Sequence, residues 1–589
     1  MPAPHEEVTQ ASIGPIEGVE PPPPVDPPSP SSSRDSGTTS TPPPAHGTAA
    51  PGTPIDRRSS TLTLHDGESA RTGGTRERAG GKDKPEAASS SDTGGDLEKG
   101  RRDVEEGAEG DVIVVDWKGK DDPACPLNWS KGRRTLATIC VAGFTLLAPL
   151  SSSMMAPASG QVAEKLNVTS QLEREMLVSI FVLAFAVGPL AWGPASELFG
   201  RVRVLQLANV LYLVFNLVCA WAPNKGTFIA FRFLAGLGGG APLSVGAGVL
   251  SDLWRAEERG KGAALYSLGP LLGPALGPVM GAWITEKVPN DGYKWIFVST
   301  TAFSALVQLV GLFGLRETYG PVLLRQQAAA LKKSMGLPPD SDRVQTVHEV
   351  KSGRKTHREV VIHGMLRPFA LIATEPIIQL FTAYLSLIYG TVYILLTSTS
   401  AVYMGVYGQS VGISGLAYLA LALGFMIASQ GGARYLDVIY RKLKAKEGKG
   451  RPEFRLPLVV PASVCLPLGL LMYGWGAEKR IHWIFPDVGL VLIGIGMIVV
   501  FQSSTSYLID LYTLHAASAL AATICFRSTA GCFFPWFAPY MYDAIGYGWG
   551  CTILAGVAIV IGWPSTPLLW LYGERIRARS RYVAKVTAK

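Results

Sequence analysis

Apolar residues dominate the chain in long runs that are separated by polar connections. From Arg134 onward, twelve mostly apolar stretches follow one another, each of about 20 residues or more, the length that a helix needs to cross a bilayer. Backbone groups in hydrocarbon need partners within the same segment, so these stretches are predicted to be helices despite their many Val, Ile and Phe residues. The predicted spans one to twelve lie near residues 134–157, 172–194, 203–222, 227–250, 262–284, 293–314, 372–399, 411–430, 456–475, 486–509, 513–540 and 549–572.

A polar segment divides the twelve spans into two groups of six, whereas most other connections are short. We therefore predict an all-α membrane protein with twelve transmembrane helices in two pseudo-symmetric six-helix bundles. The predicted parts are a disordered cytoplasmic N-terminal tail (1–125), the N-terminal bundle (126–314), a cytoplasmic central loop (315–370), the C-terminal bundle (371–575) and a basic cytoplasmic C-terminal tail (576–589).

Lys and Arg residues are distributed unevenly between the two ends of the predicted bundle. In the connections after span one, the end that carries both termini and the central loop holds 29 of them, and the other end holds seven. Connections rich in Lys and Arg stay in the cytoplasm, so both termini are predicted to be cytoplasmic, and the expected location is the plasma membrane. The tripeptide Asn167-Val168-Thr169 then lies outside, which makes Asn167 the predicted glycosylation site.

The composition supports a membrane protein and excludes several other classes. The chain of 589 residues is 47% hydrophobic and only 17% charged, which exceeds what one soluble core needs. Its tail is rich in Pro, Ser and Gly and buries too little apolar area to fold. The basic residues lie in short loops, so no nucleic-acid partner is expected. The seven cysteines lack paired metal-ligand spacing, and no nucleophile elbow or phosphate-binding glycine loop is visible. No enzyme activity, metal or cofactor is therefore expected.

Two acid–base pairs occupy matching places in the two halves. Glu197 and Arg201 follow span two, and Asp437 and Arg441 follow span eight, each pair four residues apart on one helical face. Matching pairs indicate a duplicated unit whose halves move against each other. The simpler alternative is a pair of ordinary interfacial ion pairs, which stabilise little when they are exposed.

Two arginines lie inside predicted spans. Arg232 is a little more than one turn inside span four, and Arg527 lies about midway along span eleven without an obvious acidic partner. A charge inside the membrane costs at least about 2.5 kcal/mol on insertion scales, so such a residue is expected to face a cavity or a partner. The alternative for Arg232 is a side chain that extends to the outer surface.

Span five combines glycines at a four-residue period with neighbouring prolines. The spacing gathers the glycines into one flat stripe that permits close contact with another helix. The prolines leave carbonyls without donors and make the helix bendable, so gating is predicted here, with tight packing as the simpler alternative. The residues of this predicted gate are Gly269, Gly273, Pro274, Gly277, Pro278 and Gly281.

Polar and aromatic side chains within the spans are candidates for a central cavity. For each of them, a packing or lipid-facing role is the alternative to substrate contact. The candidates are Tyr266, Gln308, Tyr389, Tyr393, Gln502 and Phe526.

Several motifs together resemble one family of membrane proteins. They are DPACPLNWSKGRR before span one, GPASELFGR after span two, RFLAGLGG in span four, SLGPLLGPALGP in span five and ETYGPVLLRQQA after span six. On these residues, about 116–580 of the chain resembles the major facilitator superfamily, specifically the fungal twelve-span drug:proton antiporters that include polyamine, multidrug and toxin exporters.

The resemblance implies roles for individual residues. Glu197, Gly200 and Arg201 would belong to a cytoplasmic loop motif that latches the halves in the outward-open state. Arg232 would match an arginine linked to proton transfer, and Gly273, Pro274 and Gly277 the antiporter motif of span five. Span one has no acidic residue, so the proton site stays open, with Asp252 and Glu375 among the candidates for a charge relay that also includes Arg232 and Arg527.

The predicted function is proton-driven export of a drug, toxin or secondary metabolite. The protein is expected to be a monomer, and its expected partners are the small-molecule substrate, protons and the lipid bilayer. One alternative is a polyamine or nutrient porter or facilitator on the same scaffold. An alternative of another class is a membrane sensor that transports nothing and signals through its long tail.

Overall fold

Helices account for most of the residues that the computed structural model describes. These residues are 112–119, 121–255, 258–353, 356–448, 450–512, 515–580 and 582. Ten helices of this described part are long and apolar enough to cross a membrane. One of them, Ala516–Arg579, contains both span eleven and span twelve, because its backbone turns at Gly546 with φ of 77°. Span five, which is not among the ten, is the helix Arg259–Lys287. The predicted twelve spans are therefore all helical.

The helices of the N-terminal bundle begin and end close to the predicted bounds. Spans one to six are Lys131–Met154, Gln171–Phe199, Arg201–Cys219, Lys225–Leu253, Arg259–Lys287 and Gly292–Gly314, with a short helix Ser159–Lys165 between the first two.

The C-terminal bundle repeats this arrangement with longer helices. Span seven is Pro376–Tyr407, span eight is Tyr418–Glu447 preceded by the short helix Val411–Leu416, span nine is Val459–Glu478, and span ten is Ile484–Tyr512. One-turn 3-10 helices precede spans one and nine at Pro126–Asn128 and Pro452–Arg455.

The central segment is folded rather than a simple loop. It contains the helices Gly320–Ser334, Val347–Ser352 and His357–Thr374. Its strand β2, Val344–Thr346, pairs in parallel with strand β1, Ile113–Val115. Residues 1–111 of the predicted disordered tail lie outside the described residues, but β1 does not fit that prediction. Hydrogen bonds to the central segment give these residues a fixed partner that the sequence of the tail alone does not reveal.

Three of the described apolar clusters each lie within one bundle, and a fourth joins the two bundles. Two apolar clusters, one around Phe144 and one around Phe228, belong to the N-terminal bundle, and a third around Phe381 belongs to the C-terminal bundle. The largest cluster joins the two bundles, since Phe181 and Tyr212 pack there with residues of spans seven to twelve. Many large apolar side chains point outward instead, as expected for helices that are surrounded by lipid.

Candidate functional site

The two bundles meet at one end of the molecule. We call the end where span one begins and the central segment lies the central-segment face, and the other end the opposite face. At the opposite face, the Glu286 carboxylate of span five accepts a hydrogen bond from the backbone N–H of Gly412, in the short helix that precedes span eight. Nearby, Ala282 lies against Gly415 in the same short helix. This end of the passage between the bundles is therefore closed.

Further contacts between the bundles lie near the middle of the spans. The indole N–H of Trp536 in span eleven donates to the Ser179 hydroxyl of span two at 2.8 Å. Ser152 in span one and Tyr393 in span seven share a hydrogen bond of 3.1 Å. These bonds extend the closed region from the opposite face to about the level of Tyr393.

The predicted latch residues of the N-terminal bundle interact within their own bundle. The Arg201 guanidinium contacts the Asp252 carboxylate of span four at 3.4 Å and donates to the Ser196 hydroxyl at 2.7 Å. Its predicted partner Glu197 is exposed. Span two ends at Phe199 and span three begins at Arg201, so the helix on which a four-residue pair would form is interrupted between them.

The matching pair of the C-terminal bundle is also rearranged. Asp437 pairs with Arg455 at 2.9 Å, and Arg455 reaches Asp510 at the end of span ten at 3.0 Å. Arg441 instead donates to the backbone carbonyl of Asp437 at 3.4 Å. Within the described residues, neither predicted latch pair forms an ion pair with the other bundle, and their latch role stays a prediction.

Glu317, which the sequence analysis did not select, organises the N-terminal latch. Its carboxylate accepts the backbone N–H groups of Arg201 at 2.9 Å and Val202 at 3.3 Å, and so caps the first turn of span three. Gly200 makes this possible, because it has φ of 101° and leaves room for the carboxylate. The sequence shows this acid in the ETYG motif. No local pattern indicates that it lies beside Arg201, more than a hundred positions earlier.

Replacing Gly200 with alanine is expected to destabilise the protein by about 1–3 kcal/mol, because the new side chain meets both an unfavourable backbone conformation and the Glu317 carboxylate. Thermal unfolding of the purified variant measures the effect. Gly193→Ala is the matched control, since a Cβ atom there meets nothing within 4 Å. Equal melting temperatures for the two variants would contradict this description of the loop.

Arg232 lies in the core rather than at the lipid surface. Its side chain is 0% exposed, and its guanidinium carbon is 4.5 Å from the centre of the Phe181 ring and 5.6 Å from that of Phe297. None of its three side-chain nitrogens has a hydrogen-bond partner within the described residues. The position rules out the surface alternative and leaves a charge that protein groups do not compensate.

Arg527 is the second buried arginine. It is 9% exposed and lies between the rings of Tyr389 at 4.6 Å and Phe501 at 4.8 Å. Its Nε atom has no partner in the described part of the protein. Tyr389 is also next to Tyr393, with ring centres 5.0 Å apart. Two of the predicted cavity residues therefore lie beside this charge.

The other cavity candidates have different surroundings. Gln502, in span ten, has a buried carbonyl oxygen without a described partner. Tyr266 donates to the Pro242 carbonyl at 3.2 Å, and Gln308 accepts from the Asn209 amide at 2.9 Å, so both link helices of the N-terminal bundle. Phe526 lies on an outward stripe of span eleven with Phe533, Phe537 and Tyr540, all exposed. The cavity roles of Tyr266, Gln308 and Phe526 stay predictions.

The glycine stripe of span five packs along span one. A Cβ atom at Gly269 would lie 2.8 Å from the Ala142 carbonyl oxygen, and one at Gly273 would lie 2.6 Å from the Pro149 side chain. The Ser153 hydroxyl also donates to the Gly273 carbonyl at 3.2 Å. Gly277 and Gly281 continue the contact toward the opposite face, where Pro278 reaches Gly415 of the C-terminal bundle. Pro274 lies within this stripe. Span five thus connects span one to the contacts that close the opposite face.

The remaining predicted sites lie near the ends of the bundle. Glu375 is buried at the start of span seven and accepts the Tyr512 hydroxyl at 3.0 Å. Asp252 is held by Arg201 at the end of span four. Asn167 is exposed at the opposite face, in the connection between spans one and two, and its glycosylation stays a prediction.

The polar motif before span one forms a small cavity at the central-segment face. Asp122 accepts the backbone N–H groups of Lys118 at 2.9 Å and Ala124 at 2.8 Å, which hold the pKa of its carboxyl below the usual range. Beside this turn is a cavity of about 350 Å³ that contains the ion pair of Arg134 and Glu258 at 2.8 Å. The motif therefore fixes the entry to span one against the loop after span four.

Two acidic residues that the sequence analysis did not select also connect the bundles. Besides Glu286, Glu175 in span two has the Thr397 hydroxyl of span seven among its electrostatic neighbours. Both acids are near the ends of spans, where charged residues are common, so the sequence gives no reason to single them out.

Comparison with known proteins agrees with this architecture. The family described as Major Facilitator Superfamily matches residues 141–535. The efflux pump vrtL of Penicillium aethiopicum is 42% identical over 497 residues, which cover 83% of this chain and 96% of that protein. The MFS-type transporter penM of Penicillium rubens is 38% identical over 494 residues, covering 83% and 95%. The efflux pump radE of Floropilus chiversii is 35% identical over 480 residues, covering 81% and 87%.

Solved structures share the fold at low sequence identity. The xylose transporter XylE of E. coli, in a partially occluded inward-open conformation, has a TM-score of 0.55 at 15% identity, over 75% of this chain and 98% of that one. The region that matches the Major Facilitator Superfamily, residues 141–535, extends from span one into span eleven and contains both buried arginines and the glycine stripe. The chain is a multi-pass membrane protein that belongs to the major facilitator superfamily.

Proposed function

We propose that this protein exports small organic molecules by alternating access. The observation that carries the proposal is the asymmetry of the contacts between the bundles. Bonds such as Glu286 to Gly412 close the opposite face, while the two loop latches engage only their own bundles. An alternating-access transporter requires such an end state, together with a second state in which the closed face is exchanged.

The direction of transport is taken from the relatives. Those named efflux pumps are 35% to 42% identical to this chain over most of their lengths, which favours export over uptake. In this proposal the central-segment face is cytoplasmic and the membrane is the plasma membrane, so that the conformation described above is open toward the cytoplasm and ready to receive substrate. The excess of Lys and Arg at that face supports the orientation.

Coupling to protons is the finer part of the proposal. Proton antiport needs a carboxylate whose protonation favours one of the two states. Glu175 fits this role by position, because it lies between the bundles beside Thr397, whereas Asp252 and Glu375 contact only their own bundles. Proton binding from outside would then favour the closed state, because a carboxylate that loses contact with water between the bundles is favoured in its neutral form.

Glu286 has a different role, that of an external latch. Its carboxylate accepts the backbone N–H of Gly412 and so holds the short helix before span eight against the end of span five.

Substituting Glu286 by alanine is expected to open the opposite face in a larger fraction of molecules and to slow export. The cause is the loss of the only carboxylate that the described residues provide for Gly412. Modification of a cysteine introduced at Ser414, which is fully buried in the short helix of Gly412, by a membrane-impermeant reagent reports the opening. Lys287→Ala is the matched control at the next, exposed position. Unchanged modification rates in Glu286→Ala would contradict the latch.

Reconstituted vesicles with an imposed pH gradient test the proposed function. The protein is inserted inside out, and the lumen of the vesicles is made acidic. An antiporter then accumulates substrate in the lumen against its concentration gradient, and collapse of the pH gradient stops the accumulation. Flux that only equalises concentrations would establish a facilitator instead. Accumulation in the opposite direction would establish an uptake porter and remove the export proposal.

A further inference from the structure

Arg527 has an environment that suits a ligand better than it suits a structural role. Its guanidinium lies between two aromatic faces, Tyr389 on span seven and Phe501 on span ten, which shield it from water and orient its plane. More than nine-tenths of the residue is buried, and its Nε has no described partner. Within the described residues no Asp or Glu comes within ion-pair distance of it. The described residues therefore bury this cation without providing an anionic partner for it.

Arg527 lies on the central-segment side of the contacts that close the middle of the protein. Tyr393, one turn further along span seven from Tyr389, forms the bond to Ser152 that closes the middle of the protein. Arg527 contacts Tyr389, on the central-segment side of that bond. A molecule that enters from the central-segment face therefore meets Tyr389 and Arg527 before it reaches the closed region.

A second positive charge lies across the interface. Arg232, on span four, is fully buried and also lacks a hydrogen-bond partner, and Tyr393 is among its electrostatic neighbours. Two arginines without acidic partners give the middle of the passage a positive potential, because arginine does not lose its proton in proteins. A cationic substrate is disfavoured there, and an anionic one recovers the interactions that the protein leaves unmade.

We propose that Arg527 is the binding residue for the carboxylate or phenolate of a planar aromatic organic anion, whose ring system stacks with Tyr389 and Phe501. This inference deepens the proposed export function and rests on it. The planar guanidinium can donate two parallel hydrogen bonds to a carboxylate. Arg232 acts through the potential and does not touch the ligand.

Two dyes with the same xanthene ring system test the substrate class. Fluorescein is anionic and rhodamine 6G is cationic at pH 7.5, so the two dyes carry opposite charges on a shared ring system. Fluorescence anisotropy measures binding of each dye to the full chain in lipid nanodiscs. The wild-type protein is expected to bind fluorescein at least about tenfold more tightly than rhodamine 6G, as a charge-assisted hydrogen-bonded contact implies.

Variants at position 527 assign the preference to this residue. Arg527→Gln is expected to remove the preference for fluorescein without loss of thermal stability, since no acidic partner is left unpaired, and Arg527→Glu is expected to reverse the preference. Phe537→Leu is the matched control on the exposed stripe of span eleven and should leave both affinities unchanged.

The outcomes separate this inference from the export function. Tighter binding of rhodamine 6G by the wild-type protein, or a preference for fluorescein that survives in Arg527→Gln, would overturn the anion site. Absence of binding by both dyes would also overturn it, because the site as described accepts planar aromatic anions. Export of rhodamine 6G from cells in any of these cases would leave the proposed function intact.

Discussion

Transport by a Gly277→Leu variant is expected to fall below about one-tenth of the wild-type rate, because overpacking at a helix contact forces the two backbones apart. A Cβ atom at Gly277 would lie 2.8 Å from the Leu150 carbonyl oxygen and 3.0 Å from the Met154 backbone nitrogen of span one. Backbone atoms in a helix have little freedom to yield. Span five would then lose its position against span one and, through Pro278, its contact with the C-terminal bundle.

Substrate efflux and the abundance of folded protein, measured together, check this prediction. Gly556→Leu is the matched control, because Gly556 is also a glycine within a span but a Cβ atom there meets nothing within 4 Å. Folded but inactive Gly277→Leu protein would support gating by span five, and unfolded protein would support tight packing alone. Normal efflux would discard both.

Arg232→Met is expected to abolish transport while the melting temperature stays the same or rises. Methionine retains the length of the side chain but removes a charge that is fully buried between Phe181 and Phe297. Replacing buried charges by apolar side chains is often neutral or stabilising by about 1–4 kcal/mol, and no acidic partner is left unpaired here. The charge is therefore retained at a cost to stability, which indicates a role in transport.

Parallel measurements of thermal unfolding and efflux test this separation of stability from function. The buried arginine is a structural residue if Arg232→Met unfolds at a clearly lower temperature than the wild-type protein. It is dispensable if the variant exports normally. Arg203→Met, at an exposed position near the start of span three, controls for the loss of a positive charge as such.

Periodicity and hydropathy predict the helices well, because the bilayer imposes one length and one secondary structure on each span. Span five was identified in the same way, although its glycines and prolines are poor helix formers. The order of the central segment was not predictable in the same way. Its strand β2 depends on pairing with Ile113–Val115, more than two hundred residues earlier.

The candidate site was predicted less completely than the fold. Arg232 and Arg527 are recognisable from sequence because a charge within a span is rare and costly. The partners of Arg201 and Asp437 are not, because spacing along one helix indicates a possible neighbour while the actual partners Asp252 and Arg455 come from other segments. Glu175, Glu286 and Glu317 act through contacts that only the packing of the bundles creates.

Distances across the two faces, measured by electron spin resonance on pairs of site-specific labels, test alternating access most directly. Trp283 with Ile413 reports the opposite face, and Arg203 with Tyr435 reports the central-segment face; all four side chains are exposed. In the reconstituted full chain, both pairs are expected to show two distances whose populations change in opposite directions when the pH is lowered or a transported compound is added. A single unchanging distance at each face, or simultaneous opening of both faces, would contradict the account.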